Sequence, residues 1–204
     1  MDQDFDPGFS GLDRLLELYD EIDSEIEAFK SATGLGCIPN CGKCCSSPKV
    51  IESTVLEAIP LSIQLWKEEE AESCLRKIQT ADPENPCVLY DPDRSRNGRC
   101  IAYQWRPAVC RLFGFSAILN KKGKPVIALC RVLKAKNPGL NDRIQGLIDR
   151  GVKVPVYSFY GERFSFLDPF LAITRYPINE ALRMALEAVG LRKSIIGAEE
   201  ISLG

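Results

Sequence analysis

Eight of the nine cysteines lie between positions 37 and 130, so sulfur is the first chemistry this chain can offer. Cys37, Cys41, Cys44 and Cys45 crowd into the nine residues CIPNCGKCC, and Cys87, Cys100, Cys110 and Cys130 follow at wider spacing. Thiolates select zinc, iron–sulfur centres or Cu(I), whereas Mg²⁺ and Ca²⁺ prefer oxygen. Packing does not call for four cysteines in one turn, which makes these eight the candidate metal ligands. They divide into two four-ligand centres, or one such centre with spares. The side chains of adjacent Cys44 and Cys45 are expected to point in different directions and to serve different metal atoms. That suits two neighbouring centres or a multinuclear cluster better than one tetrahedral zinc. The ninth, Cys74, shares helical positions with Ala71, Leu75 and Ile78 and reads as a small buried hydrophobe.

The rest of the composition narrows the chemistry. There is no histidine, which excludes mixed Cys/His zinc sites and Cys-His nucleophile pairs unless another chain supplies the imidazole. With 26 basic and 28 acidic side chains the formal charge is −2, so no global basic field points to nucleic acid. No run of about 18 apolar residues offers a membrane span. The acidic start MDQDFDPGFSGLDRLLELYDEIDSE lacks the features of a secretory signal, so a reducing cytoplasm is the expected compartment. There, cysteine clusters bind metal rather than pair as disulfides, and the odd count argues the same way.

Helices and hairpins must bring the sulfurs together. From Leu12 to Phe29, apolar residues at helical spacing predict an amphipathic helix, ended by Gly34 and Gly36. Val50-Ile51 reads as extended, Ser53 as the cap of a helix that Pro60 bends or breaks, and Leu61 to Thr80 as a second helix. Between Asp82 and Cys130, short apolar runs separated by PDRSRNG and NKKGK predict two small hairpins, weak unless thiolate–metal bonds hold them. Asp91 and Asp93 are turn residues, and Lys121, Lys122 and Lys124 mark a solvated hairpin tip. Asn141 is expected to cap a helix ending at Gly151, and another runs from Ile178 to Gly190. Between those two, VPVYSFYGERFSFLDPF reads as an irregular, core-facing loop, and the tail after Ser194 as loose.

CGKCC at 41–45 and CVLYDPDRSRNGRCIAYQWRPAVCRLFGF at 87–115 together resemble the YkgJ-type cysteine-cluster family, also called the CxxCxxCC domain, a zinc- or iron-chelating domain. Cys87, Cys100, Tyr103, Arg106, Pro107, Cys110 and Arg111 match the second block position by position. One departure is the three-residue gap between Cys37 and Cys41, where the family name has two. That gap also gives Cys37, Cys41 and Cys44 the C-x3-C-x2-C spacing of radical S-adenosylmethionine enzymes, but the alternating strands and helices of those enzymes are missing. The resemblance implies an iron–sulfur centre, [4Fe–4S] foremost, with zinc the alternative. It also implies a role beside the cluster for Arg106 and Arg111, as donors to its sulfurs or as counter-charges. Wider relatives resemble flagellin lysine N-methylases, so methyl transfer from S-adenosylmethionine to a protein lysine is an alternative function. A structural or adaptor protein closed by metal is a third, and whether the chain is an enzyme stays open.

The expected architecture is α+β and mostly helical: one domain spanning 1–204 with a cysteine-cluster core at 37–130. N-terminal (1–36) and C-terminal (131–204) helices wrap a small hairpin-containing metal centre. The expected partners are metal ions and a protein partner or protein substrate.

Overall fold

A computed structural model describes residues 7–39, 41–46, 51–81, 86–93 and 98–202, with side chains described as far as residue 196. Val50 and the middle of the PDRSRNG turn lie outside the described residues.

Helix α1 spans Leu12–Thr33 and buries Leu15, Leu18, Tyr19, Ile22, Ile26 and Phe29 along one stripe. It runs a turn beyond the predicted Phe29 because its stop is Gly34. At φ 67, Gly34 turns its N–H back onto the Lys30 carbonyl, as a helix C-terminus needs. Strand β1 (Glu52–Thr54) leads directly into α2 (Val55–Lys67). The cap is Thr54 rather than Ser53: its hydroxyl accepts from the Glu57 N–H while the Glu57 carboxylate accepts from the Thr54 N–H. Pro60 lies inside α2 without breaking it. The interruption falls instead at 68–70, where Glu69 adopts φ 62. Helix α3 (Ala71–Thr80) follows and buries Ala71 and Cys74.

Both predicted hairpins are present. Strands β2 (Tyr90–Asp91) and β3 (Arg99–Cys100) pair antiparallel, with Tyr90 opposite Cys100. After α4 (Ala108–Leu112), β4 (Ala117–Leu119) and β5 (Pro125–Ile127) form the second hairpin, with Ala117 opposite Ile127. Helices α5 (Arg131–Lys136) and α6 (Leu140–Asp149) come next, and α6 is entered through Gly139 at φ 81 rather than Asn141. The aromatic segment expected to be irregular contains helix α7 (Tyr157–Ser165), whose Tyr160 and Phe164 are buried. Strand β6 (Arg175–Pro177) pairs antiparallel with β1, and α8 runs from Ile178 to Ser202.

Gly190 does not stop α8. A Cβ there would lie 2.5 Å from the Trp66 ring, so this glycine lets α8 pass close under α2. The Trp66 indole N–H completes the contact by donating to the Leu186 carbonyl at 2.9 Å. The backbone expected to be loose after Ser194 is therefore helical as far as Ser202.

Eight α-helices and three two-stranded antiparallel sheets among the described residues make the chain α+β and mostly helical. The most deeply buried large side chains come chiefly from α1, α2 and α8: Leu15, Ile22, Phe29, Ile59, Leu186 and Val189. Cys87 and Leu89 ahead of β2, and Ile127 of β5, are the hairpins' share of this core. Among the described residues no helix is long and apolar enough to cross a membrane.

Candidate metal centre

The first cysteines sit on a knuckle. Cys41 N–H donates to the Ile38 carbonyl at 3.1 Å, and the N–H groups of Cys45 and Ser46 both donate to the Gly42 carbonyl at 3.0 Å. The knuckle is docked on the β2–β3 hairpin through Gly42. A Cβ at that position would lie 2.5 Å from the Tyr90 ring, 2.8 Å from the Gly98 carbonyl carbon and 2.9 Å from the Arg99 nitrogen. Only a residue without a side chain lets Cys44 and Cys45 come down onto the hairpin that carries Cys100.

Backbone turns present the other sulfurs. Tyr90 N–H donates to the Cys87 carbonyl at 2.8 Å and folds the chain over just before β2. The Leu89 amide donates to the Cys87 sulfur and the Ala102 amide to the Cys100 sulfur, each from two residues further on. Amides aimed at sulfur favour the thiolate, the form a metal requires. Cys110 lies in α4, which is tied to α2 by the Ala108 N–H donating to the Glu57 carboxylate at 3.2 Å. Cys130 opens α5 and packs over Gly114, where a Cβ would stand 3.3 Å from the Cys130 Cβ.

All nine cysteines are unpaired, so no disulfide competes for the sulfurs. Several of these sulfurs shift one another's ionisation. Cys45 sits against Cys100 and Cys44, which together raise its thiol. Its hydrogen bond in turn draws Cys44 down to about 6 and Cys100 down to about 7. Burial pushes the Cys87 thiol up to about 12, with Cys100 and Cys44 adding to it; burial also raises Cys110, followed by Cys87. Cys37 lies at the surface, yet the protein crowded around its sulfur raises its thiol, followed by Cys41, Cys44 and Cys130. Cys44 is among the influences on Cys87, Cys100 and Cys110 as well as on Cys37.

The sulfurs of Cys44 and Cys45 are 3.9 Å apart. The expected divergence of these neighbouring side chains is thus corrected: the knuckle turn brings the two sulfurs into contact. Among the described residues, no three cysteine or acidic side chains already surround a common point as a bound metal would need. The thiols hydrogen-bond to one another instead. Sulfur is the donor type that zinc or iron selects, and these eight cysteines come from four segments.

The two arginines have different surroundings. Arg106 stacks 3.5 Å over the Tyr103 ring and donates from Nε to the Tyr103 carbonyl and from Nη1 to the Cys110 carbonyl. Its charge is one of the influences lowering Cys44 and Cys100. Arg111 is buried, pairs with Asp23 of α1, donates to the carbonyls of Gln104 and Arg106, and lies over the Tyr19 ring. It fastens α4 to α1. Cys74 is buried in α3, and its influence also reaches Cys87.

Sequence reasoning missed Glu57, whose carboxylate anchors the segment bearing Cys110. The Thr54-x-x-Glu57 spacing ahead of an apolar run is the signal that marks it. It also missed a pocket of about 180 Å³ between α1 and residues 103–115, with Asp23, Glu27, Lys30, Tyr103, Arg106 and Phe115 in its wall.

Residues 36–134 match the sequence profile of the family described as CxxCxxCC, putative zinc- or iron-chelating domain. This stretch, just under half of the chain, holds the eight cysteines from Cys37 to Cys130 and is similar to that family of cysteine-rich domains. Neither a curated protein nor a solved structure matches the chain.

Proposed function

We propose that the chain holds a thiophilic metal in a centre with two four-thiol halves: Cys45, Cys87, Cys100 and Cys110 in one, and Cys37, Cys41, Cys44 and Cys130 in the other. The observation that carries this reading is the 3.9 Å contact between Cys44 and Cys45, made where the knuckle docks through Gly42 on the hairpin that carries Cys100. Iron–sulfur and zinc both suit such a donor set. Abutting halves favour a paired or polynuclear centre over one isolated zinc, and an iron–sulfur centre, [4Fe–4S] included, is the leading form. Bound iron–sulfur would supply one-electron chemistry, and bound zinc a structural clasp. Around either, Arg106 offsets thiolate charge, the amides of Leu89 and Ala102 hold sulfurs in the thiolate form, and Glu57 keeps α4 in place.

The test is oxygen-free purification with analysis of iron, zinc and acid-labile sulfide, repeated on serine variants. Cys87→Ser should remove roughly half of the metal, Cys130→Ser roughly the other half, and Cys44→Ser should weaken both. Visible charge-transfer absorbance with sulfide identifies iron–sulfur, while a colourless zinc protein identifies zinc. A folded chain purified without iron or zinc, or one losing all metal equally with every variant, overturns the two-half arrangement.

A further inference from the structure

The pocket beside the cysteines has its own chemistry. One wall is a single face of α1, with Asp23, Ile26, Glu27 and Lys30 at i, i+3, i+4 and i+7; Tyr103, Arg106 and Phe115 form the other. Its charges are already partly matched. Lys30 donates to one oxygen of Glu27 at 2.6 Å, and Arg111 pairs with one oxygen of Asp23. The second oxygen of each carboxylate has no partner among the described residues. Arg106 has no carboxylate partner there either, and its bonds to the carbonyls of Tyr103 and Cys110 use two of its five N–H groups. Stacking on Tyr103 holds the remaining three ready to grip a carboxylate.

We propose that this pocket binds a free α-amino acid with a small or medium apolar side chain. Its carboxylate would lie on Arg106, its ammonium on Glu27 and Asp23, and its side chain against Ile26 and Phe115. Two physical points choose this ligand over others. A volume near 180 Å³ is about that of six waters, well below the several hundred Å³ of typical cofactor pockets, so the ligand is small. The free oxygens of Asp23 and Glu27 in the same pocket as Arg106 oppose a simple anion. A zwitterion has no net charge and brings an ammonium for the free carboxylate oxygens. The inference goes beyond the metal reading and holds for either metal.

The test is calorimetric titration of metal-loaded protein with L-leucine, N-acetyl-L-leucine and 3-methylbutylamine, with metal content measured on every sample. L-leucine should bind with a Kd of about 1 mM. The analogues lacking the free ammonium or the carboxylate should each bind at least about tenfold more weakly. Glu27→Gln changes an exposed side chain that pairs with Lys30 and should weaken leucine about tenfold with unchanged metal content. Arg106→Gln should weaken it at least as much, and any parallel loss of metal would report the separate role of Arg106 beside the thiols. Equal affinity for N-acetyl-leucine would make this an anion site and overturn the proposal. So would the absence of heat from leucine at about 20 mM, or an unchanged affinity in Glu27→Gln. A chain that arrives without metal yet binds leucine sinks only the metal reading.

Discussion

Gly42→Ala tests how the centre is assembled without touching a ligand. The added Cβ would meet the Tyr90 ring at 2.5 Å, the Gly98 carbonyl carbon at 2.8 Å and the Arg99 nitrogen at 2.9 Å. Two of these neighbours are backbone in the hairpin, so the clash is not relieved by rotating a flexible side chain. The knuckle must lift away from β2–β3, and overpacking of this kind costs about 1–3 kcal/mol. In the proposed centre the metal would bond sulfurs on both sides of the junction, so the same strain would be subtracted from its binding free energy. At 1.36 kcal/mol per tenfold, affinity should fall by about five- to 150-fold. Gly36→Ala is the control in the same loop, because a Cβ there meets nothing within 4 Å. Competition against a graded series of chelators, read by released metal, measures both variants. Gly42→Ala holding its metal as tightly as Gly36→Ala would refute the docking of Cys44 and Cys45 against the Cys100 hairpin.

Other outcomes follow from single contacts. Glu57→Ala leaves the amides of Thr54 and Ala108 without their carboxylate partner and should cost about 3 kcal/mol in urea unfolding; a loss below about 1 kcal/mol would contradict its anchoring role. Cys74→Ser places a hydroxyl in an apolar site and should cost about 1–3 kcal/mol while metal content stays unchanged; lost metal would instead make Cys74 a ligand. The metal-free chain should lose melting temperature in both directions from a maximum near the unfolded thiol value, about pH 8.5. Buried Cys87, raised to about 12, contributes stability that is full below the unfolded thiol value and lost as pH climbs through its folded value; Cys110 and Tyr19, also raised by burial, add to this loss. Cys44 and Cys100, lowered to about 6 and about 7, contribute above the unfolded value and lose that contribution as pH falls through theirs. A melting temperature that is flat between about pH 5 and 11 would contradict these burial and pairing effects.

Local patterns were legible where one short stretch determines the outcome. The stripe from Leu15 to Phe29 makes α1 whatever lies against it, and turn residues between apolar runs define both hairpins. Features decided by distant partners were not legible. Pro60 is carried within α2 by the Thr54–Glu57 capping box and by packing against α8, and Gly190 is kept in α8 by a tryptophan more than a hundred residues earlier. Helix α7 was hidden because Tyr157, Tyr160 and Phe164 favour strands as readily as helices, although their spacing is helical. The eight candidate cysteines could be nominated from the sequence, but the contact between Cys44 and Cys45 and their docking on the Cys100 hairpin could not. That docking depends on Gly42 fitting beneath Tyr90. The amino-acid-sized pocket likewise needs Asp23 and Arg111 to meet across 88 positions.

These two kinds of contact bear on what metal removal should do. The deepest side chains of α1, α2 and α8 bury one another without sulfur, and the β1–β6 pair and the Trp66–Leu186 bond join the same elements. The knuckle and the β2–β3 hairpin have only two-residue strands and little apolar surface of their own. Isolated pieces of that size are unstable in water, and cross-links between distant segments are what usually hold them. Chelation should therefore leave the helical signal at 222 nm within about a fifth of its starting value, because most helices rest on the apolar core. Trypsin cleavage after Lys43 and Arg99 should accelerate at the same time, since both lie on the segments that thiolate–metal bonds would clasp. Collapse of the whole helical signal would show instead that the core depends on the metal. Unchanged cleavage at both sites would show that the knuckle and hairpin stand without it.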